Sequence, residues 1–155
     1  MSRVRVEYSW EAFEARRRAI NDVIEASFKD GSWKRAVEST IGTGGITLQN
    51  HLPGLALCKD VKIHALCDAN PATLEAARKQ TGAPVAETSW EKVVTRDDVH
   101  AVIIASSTDT HADLAIRAAK AGKAIFCEKP IDLSLKRVEQ CLAEVDKARV
   151  PMFVG

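Results

Sequence analysis

From residue 33 onward, short apolar runs alternate with stretches whose apolar positions recur every three or four residues. The runs at 35–41, 61–67, 84–86, 101–105, 124–127 and 151–154 predict strands. Ala101-Val-Ile-Ile-Ala105 is apolar throughout, as a strand covered on both faces requires. Helices are predicted between the runs, at 46–57, 71–80, 90–95, 110–121 and 134–148. In the last of these, Leu135, Val138, Leu142 and Val145 fall on one helical face. Asn70 before Pro71 supplies an N-cap followed by proline at the first helical position. Gly122, after a helix rich in Ala, predicts a left-handed C-cap. Strand–helix alternation of this kind predicts an α/β fold: a doubly wound parallel sheet flanked by helices, with right-handed crossovers.

Residues 1–33 do not share this rhythm. Phe13, Ile20, Val23, Ile24 and Phe28 can form one apolar stripe, which predicts an N-terminal helical extension. Asp30-Gly31-Ser32 then marks a break, so 1–33 is expected as the extension and 34–155 as the α/β domain. The run Arg16-Arg17-Arg18 reads as a solvated face. One strand conflicts with the pattern. Glu38 and Ser39 lie inside 35–41, where a central parallel strand should be apolar.

Composition narrows the function classes. The 155 residues are 46% hydrophobic and 28% charged, which suits one globular domain. Lys plus Arg less Asp plus Glu is 22 − 21 = +1. That balance gives no bulk electrostatic reason to seek nucleic acid or an anionic membrane, and neither is expected as a partner. No apolar run approaches the roughly 18 residues of a membrane span, and the first ten residues lack a secretory apolar core. The four cysteines, Cys58, Cys67, Cys127 and Cys141, form no CxxC pair. They read as reduced thiols of a cytoplasmic protein, three of them facing the core. No histidine has a second ligand at metal spacing, so no metal is expected. His64 and His100 read as structural or surface histidines, and no GxSxG or Cys–His arrangement points to a nucleophile.

The chemistry concentrates at a glycine turn. Ile41-Gly-Thr-Gly-Gly-Ile-Thr47 joins a predicted strand to a predicted helix. Gly42 would allow the tight turn, and Gly44 would let backbone N–H groups approach a pyrophosphate seated on the helix N-terminus. Thr43, Gly45 and Ile46 complete the candidate phosphate loop. Thr47 stands where the third glycine of GxGxxG serves helix–strand packing. Asp68 ends the second predicted strand, 26 residues after Gly42. An acid there can accept hydrogen bonds from the ribose hydroxyls of NAD, and its charge repels the 2′-phosphate of NADP. NAD is therefore favoured, with NADP as the alternative. Asp68 can also be read as the start of a helix-capping turn.

These motifs together resemble one family, the Gfo/Idh/MocA oxidoreductases, which include inositol dehydrogenases and glucose–fructose oxidoreductase. The match is carried by IGTGG at 41–45, Asp68, SSTDTHADLAIRAAKAGKAIFCEKPID at 106–132 and VPMFVG at 150–155. Cys127-Glu128-Lys129-Pro130 is its most specific part. The resemblance implies an NAD(P)-binding Rossmann domain followed by a larger α/β domain that makes the oligomer contact and is absent from these 155 residues. It also implies Lys129 as the catalytic lysine, itself touching the cofactor beside the nicotinamide, and Glu128 near the nicotinamide ribose. The loop Ser106, Ser107 and Thr108 would then lie near the phosphates and ribose, and His111, at the start of the following helix, would also contact the cofactor. Serine at both 106 and 107, where the family commonly has Thr-Pro, keeps hydrogen-bonding capacity without proline's rigidity. His51 matches a frequent family histidine, and a cis peptide is expected before Pro130. Hydride transfer from an alcohol carbon needs a group to manage the hydroxyl proton, and a lysine can do so as a base or as an orienting cation. The expected function is the nucleotide-binding part of an oxidoreductase acting on a sugar or polyol hydroxyl. The alternative is a truncated, inactive Rossmann module with a binding or regulatory role.

Overall fold

A computed structural model describes residues 36–57 and 61–155, without the side chains of 36–41 and 61. The helix expected within 1–33, the side chain of Glu38 and Cys58 lie outside the described residues. Among the described residues, six parallel strands form one sheet: β1 (Ala36–Ile41), β2 (Val61–Cys67), β3 (Val85–Glu87), β4 (Ala101–Ile104), β5 (Ala124–Cys127) and β6 (Met152–Val154). Their order is β3-β2-β1-β4-β5-β6. Each successive strand to β3 moves one way from β1, and β4 to β6 move the other way. This reversal opens a crevice beyond the C-terminal ends of β1 and β4, where doubly wound sheets bind ligands.

Helix α1 joins β1 to β2 and is π-helical over Thr47–His51, then α-helical over Leu52–Ala56. A regular α-helix was expected over 46–57. Pro53 explains the difference: it has no N–H, and its ring crowds the carbonyl four residues back, so the turn widens. The Leu52 N–H accordingly bonds to Thr47 O, five residues earlier. The other helices are α2 (Pro71–Thr81), α3 (Trp90–Val94), α4 (Thr108–Lys120) and α5 (Leu135–Ala148). The Asn70 side chain accepts from the Ala72 N–H, with Pro71 at the first helical position. Gly122 takes φ +73° after α4, as its position predicted.

Alternation along the strands loads both faces of the sheet. Leu66 packs with Leu52 of α1 and with Leu74 and Ala77 of α2. Its neighbours Ala65 and Cys67 join Val102, Ile104, Ala115, Cys141 and Val145 in the larger cluster, which α3, α4 and α5 cover. The α5 stripe differs from the expected one. Val145 and Cys141 are buried, whereas Leu135 and Leu142 are 73% and 43% exposed. The helix turns its 138–141–145 line inward, and periodicity alone permits either neighbouring line. The polar interruption in β1 coincides with a register shift between Glu38 and Ser39, which pair with Ile63 and Ala65. His64 is the extra residue of this bulge, and its Nε2 lies 2.9 Å from Asp98 Oδ2.

Candidate functional site

The glycine turn begins where β1 runs out. Gly42 has φ +90°, and a Cβ there would lie 2.6 Å from the backbone of Ala105 and Ser106. Only glycine permits both that angle and that approach. Gly44 and Gly45 face open space. The Thr47 hydroxyl donates to Gly42 O at 2.7 Å and is fully buried. The residue replacing the third glycine therefore locks the turn from inside the helix.

Asp68, at the end of β2, reaches back to the same turn. Its Oδ2 accepts the Thr43 N–H at 2.6 Å and the Thr43 hydroxyl at 3.0 Å. Its Oδ1 accepts the Asn70 N–H at 2.8 Å. Partial burial raises its proton affinity, but the hydrogen bonds from Asn70 and Thr43 outweigh that and hold the carboxyl below its ordinary range. Asp68 thus serves both readings made of it, since it also braces the turn into α2. The Thr73 side chain adds to these donors, so the carboxylate is held from several sides at the end of β2.

A cavity of about 620 Å³ opens beside these groups, lined by Gly42, Gly44, Asp68, Ser106 and Ser107. Its size lies in the range of cofactor sites, roughly 300–1,000 Å³. Trp90 and Arg117 also line it, with the guanidinium 4.9 Å from the indole centroid. The sequence reading missed both. An aromatic opening a short helix after β3 was the available signal, but its arginine partner is 27 residues away. Cys67 also reaches the cavity, yet burial and then the Asp68 charge push its thiol up to about 12, so it is no nucleophile. Thr110 donates its hydroxyl proton to Ser107 O at 2.6 Å, so Ser106 Oγ must donate to Thr110 Oγ1 at 2.7 Å. This chain stiffens the loop where proline is lacking. Thr108, expected in that loop, is instead the first residue of α4, with Ser107 as its N-cap.

The lysine end stands apart from this cavity. After β5 the Glu128 N–H donates to Ile104 O at 2.9 Å. Glu128 Oε1 lies 2.8 Å from His51 Nε2, and its Oε2 accepts the Lys129 N–H at 3.3 Å. The Lys129–Pro130 peptide is cis, as the resemblance implied. His111 is 2% exposed and does not line the cavity. Its ring nitrogens lie 2.9 Å from Pro130 O and Ser106 O. A neutral imidazole donates to one of these carbonyls, and an imidazolium to both. His111 thus joins the Ser106 loop to the lysine loop instead of facing the cavity. The Lys129 side chain is exposed, and its ammonium has no partner among the described residues.

The profile of the GFO_IDH_MocA oxidoreductase family, NAD-binding Rossmann fold, matches residues 39–155. The chain belongs to this family. Inositol 2-dehydrogenase of Rhizobium meliloti is 45% identical over 96 residues, 62% of this chain and 28% of that protein. Myo-inositol 2-dehydrogenase of Thermotoga maritima is 34% identical over 105 residues, 68% of this chain and 31% of that protein. The WlbA dehydrogenase of Bordetella pertussis, solved with NADH and UDP-GlcNAcA, superposes with a TM-score of 0.73 at 28% identity, covering 77% of this chain and 36% of that one. The chain therefore spans about a third of the length of these Gfo/Idh/MocA relatives. The family's NAD-binding domain accounts for the doubly wound sheet, the glycine turn and the Glu-Lys-Pro loop together. Among the described residues, no group of three His, Cys, Asp or Glu could hold a metal, and no helix is long and apolar enough to cross a membrane.

Proposed function

We propose that this chain is the nucleotide-binding part of an enzyme that moves hydride between NAD and the hydroxyl-bearing carbon of a sugar or polyol. One observation carries the reading. The glycine turn, Asp68 and Lys129 follow the C-terminal ends of β1, β2 and β5, on one edge of a sheet whose order reverses between β1 and β4. That edge suits a dinucleotide laid across the switch point. Asp68 would accept a ribose hydroxyl and repel a 2′-phosphate. Gly44 would bring backbone N–H groups to the pyrophosphate. Glu128 would meet the nicotinamide ribose, and Lys129 would hold the substrate hydroxyl or take its proton. The bound nicotinamide supplies the hydride acceptor. The inositol dehydrogenase names of the relatives favour a polyol as substrate. Free, buried Cys67, Cys127 and Cys141 suit a reducing compartment, and we place the protein in the cytoplasm.

The test is a titration of the chain with NADH and with NADPH, read as energy transfer from tryptophan to the nicotinamide. Trp90, in the cavity wall, is the expected donor. Saturable binding is expected, tighter for NADH, and weakened tenfold or more in Asp68→Ala. No saturable signal at millimolar cofactor would overturn the reading.

A further inference from the structure

The residues flanking Lys129 each lie against a different helix, while the lysine ammonium has no partner among the described residues. On the far side, a ring nitrogen of His111 of α4 lies 2.9 Å from Pro130 O. On the near side, His51 of α1 reaches across 77 residues of sequence to Glu128 Oε1 at 2.8 Å. The His51 ring also stands edge-on to Phe126 of β5, 5.5 Å between centroids at 72°. Both side chains of the pair are largely buried, 18% and 16% exposed. His51 ends the π-helical turn that Pro53 imposes, so its direction is set by the fold and not by Glu128 alone.

Glu128 is the acid next to Lys129 in the chain. A carboxylate released from His51 would be free to turn toward the lysine. An opposite charge within about 4–6 Å favours the charged form of both groups. An ammonium held in such a pair is a poor base and is not free to meet a substrate hydroxyl. The Glu128 carboxylate is oriented at both oxygens, Oε1 by the His51 N–H and Oε2 by the Lys129 backbone N–H. The other charged groups beyond the loop are occupied with one another: Arg137 lies 2.7 Å from Asp113 and 3.6 Å from Asp132.

We propose that His51 is a positioning residue that holds the Glu128 carboxylate away from Lys129 Nζ, so that the lysine is presented as an unpaired amine. The use of that amine rests on the hydride-transfer reading above; the arrangement itself does not depend on a bound cofactor. The lysines of the 155-residue chain are labelled by reductive ¹³C-methylation, and the Lys129 signal is assigned by its loss in Lys129→Arg. In the parent chain the signal should be the same with and without Glu128→Gln. In His51→Leu it should move by more than its linewidth, and adding Glu128→Gln should restore it. His51→Gln, whose amide N–H can reach the same carboxylate, should behave like the parent. A change in hydrophobic packing alone would produce neither the restoration nor the rescue. A parent signal that moves on Glu128→Gln overturns the proposal, as does a folded His51→Leu chain with an unmoved signal. Should His51→Leu fail to fold, the parent and Glu128→Gln comparison still decides. NADH binding is read separately, so its loss with the expected lysine behaviour would sink the cofactor reading and leave this one standing.

Discussion

The two ends of the crevice are built by opposite means. At the glycine turn, the backbone itself is the device. Gly42 sits at φ +90° against the Ala105–Ser106 backbone, and Thr43 and Thr47 are fully buried beneath it. The supporting side chains are short and bond to the turn directly. At the lysine end, the Lys129 side chain is exposed and without a partner among the described residues, and its neighbours Glu128 and Pro130 lie against His51 and His111 on two other helices. Damage at the first end should therefore appear as lost stability. Damage at the second should appear as altered chemistry with the fold intact.

The largest effect expected is at Gly42. Alanine there incurs a positive-φ penalty and a 2.6 Å backbone overlap that no rotamer can relieve. The cost should be about 3 kcal/mol, from strain and overpacking together. Urea denaturation measures it, and NADH binding should vanish in the same variant. A Gly42→Ala chain within about 0.5 kcal/mol of the parent, the range of an inert surface change, would erase the distinction between the two ends.

Asp68→Asn ranks next. It keeps the shape but removes the charge from hydrogen bonds to Thr43 and Asn70, at about 1–1.5 kcal/mol given partial exposure. The pH dependence has a definite sign. The folded carboxyl binds its proton less readily than the unfolded one. Its contribution is therefore complete above the ordinary aspartate range, near pH 4, and is lost as pH falls through the folded value. The parent and Asp68→Asn denaturation midpoints should differ at pH 7 and converge toward pH 3. A gap that widens on acidification would refute the assignment. Thr47→Val should cost slightly less, about 1 kcal/mol, by leaving Gly42 O without its buried donor. Thr47→Ser, which keeps the hydroxyl, should recover most of it in the same urea experiment.

The two ends also differ in how far the sequence discloses them. IGTGG and Asp68 announce themselves because special backbone angles demand glycine, and because strand ends and acids recur at a fixed spacing. The apolar runs place all six strands to within a residue at either end: β3 starts at Val85 and not at Pro84, whose nitrogen has no proton to donate. What sets the lysine end is hidden for a physical reason. The His51–Glu128 contact spans 77 residues and depends on how α1 winds. That winding depends on Pro53 widening a turn that apolar periodicity treats as regular. The same limit explains α5, where spacing shows which residues share a line but not that Leu135 and Leu142 stay exposed. Trp90 and Arg117 meet only because α3 and α4 cover the same cavity wall.

The smallest effect, and the sharpest contrast, belongs to Lys129→Met. The lysine side chain is exposed and its ammonium has no partner among the described residues; its backbone N–H bonds to Glu128 whatever the side chain is. Methionine keeps the aliphatic stem and removes only the ammonium. Unfolding free energy should stay within about 0.5 kcal/mol of the parent, as for an inert surface site. NADH affinity should change by less than about threefold, which corresponds to a similarly small free energy. Thermal and urea midpoints measured beside an NADH titration check both. If Lys129→Met destabilised the chain as Gly42→Ala does, the ammonium would be part of the scaffold, and the division between a structural end and a chemical end would fail. If it left the fold intact but abolished NADH binding, the lysine would serve the cofactor and not the substrate hydroxyl. The expected pair of small changes is what the proposed role at a substrate hydroxyl requires.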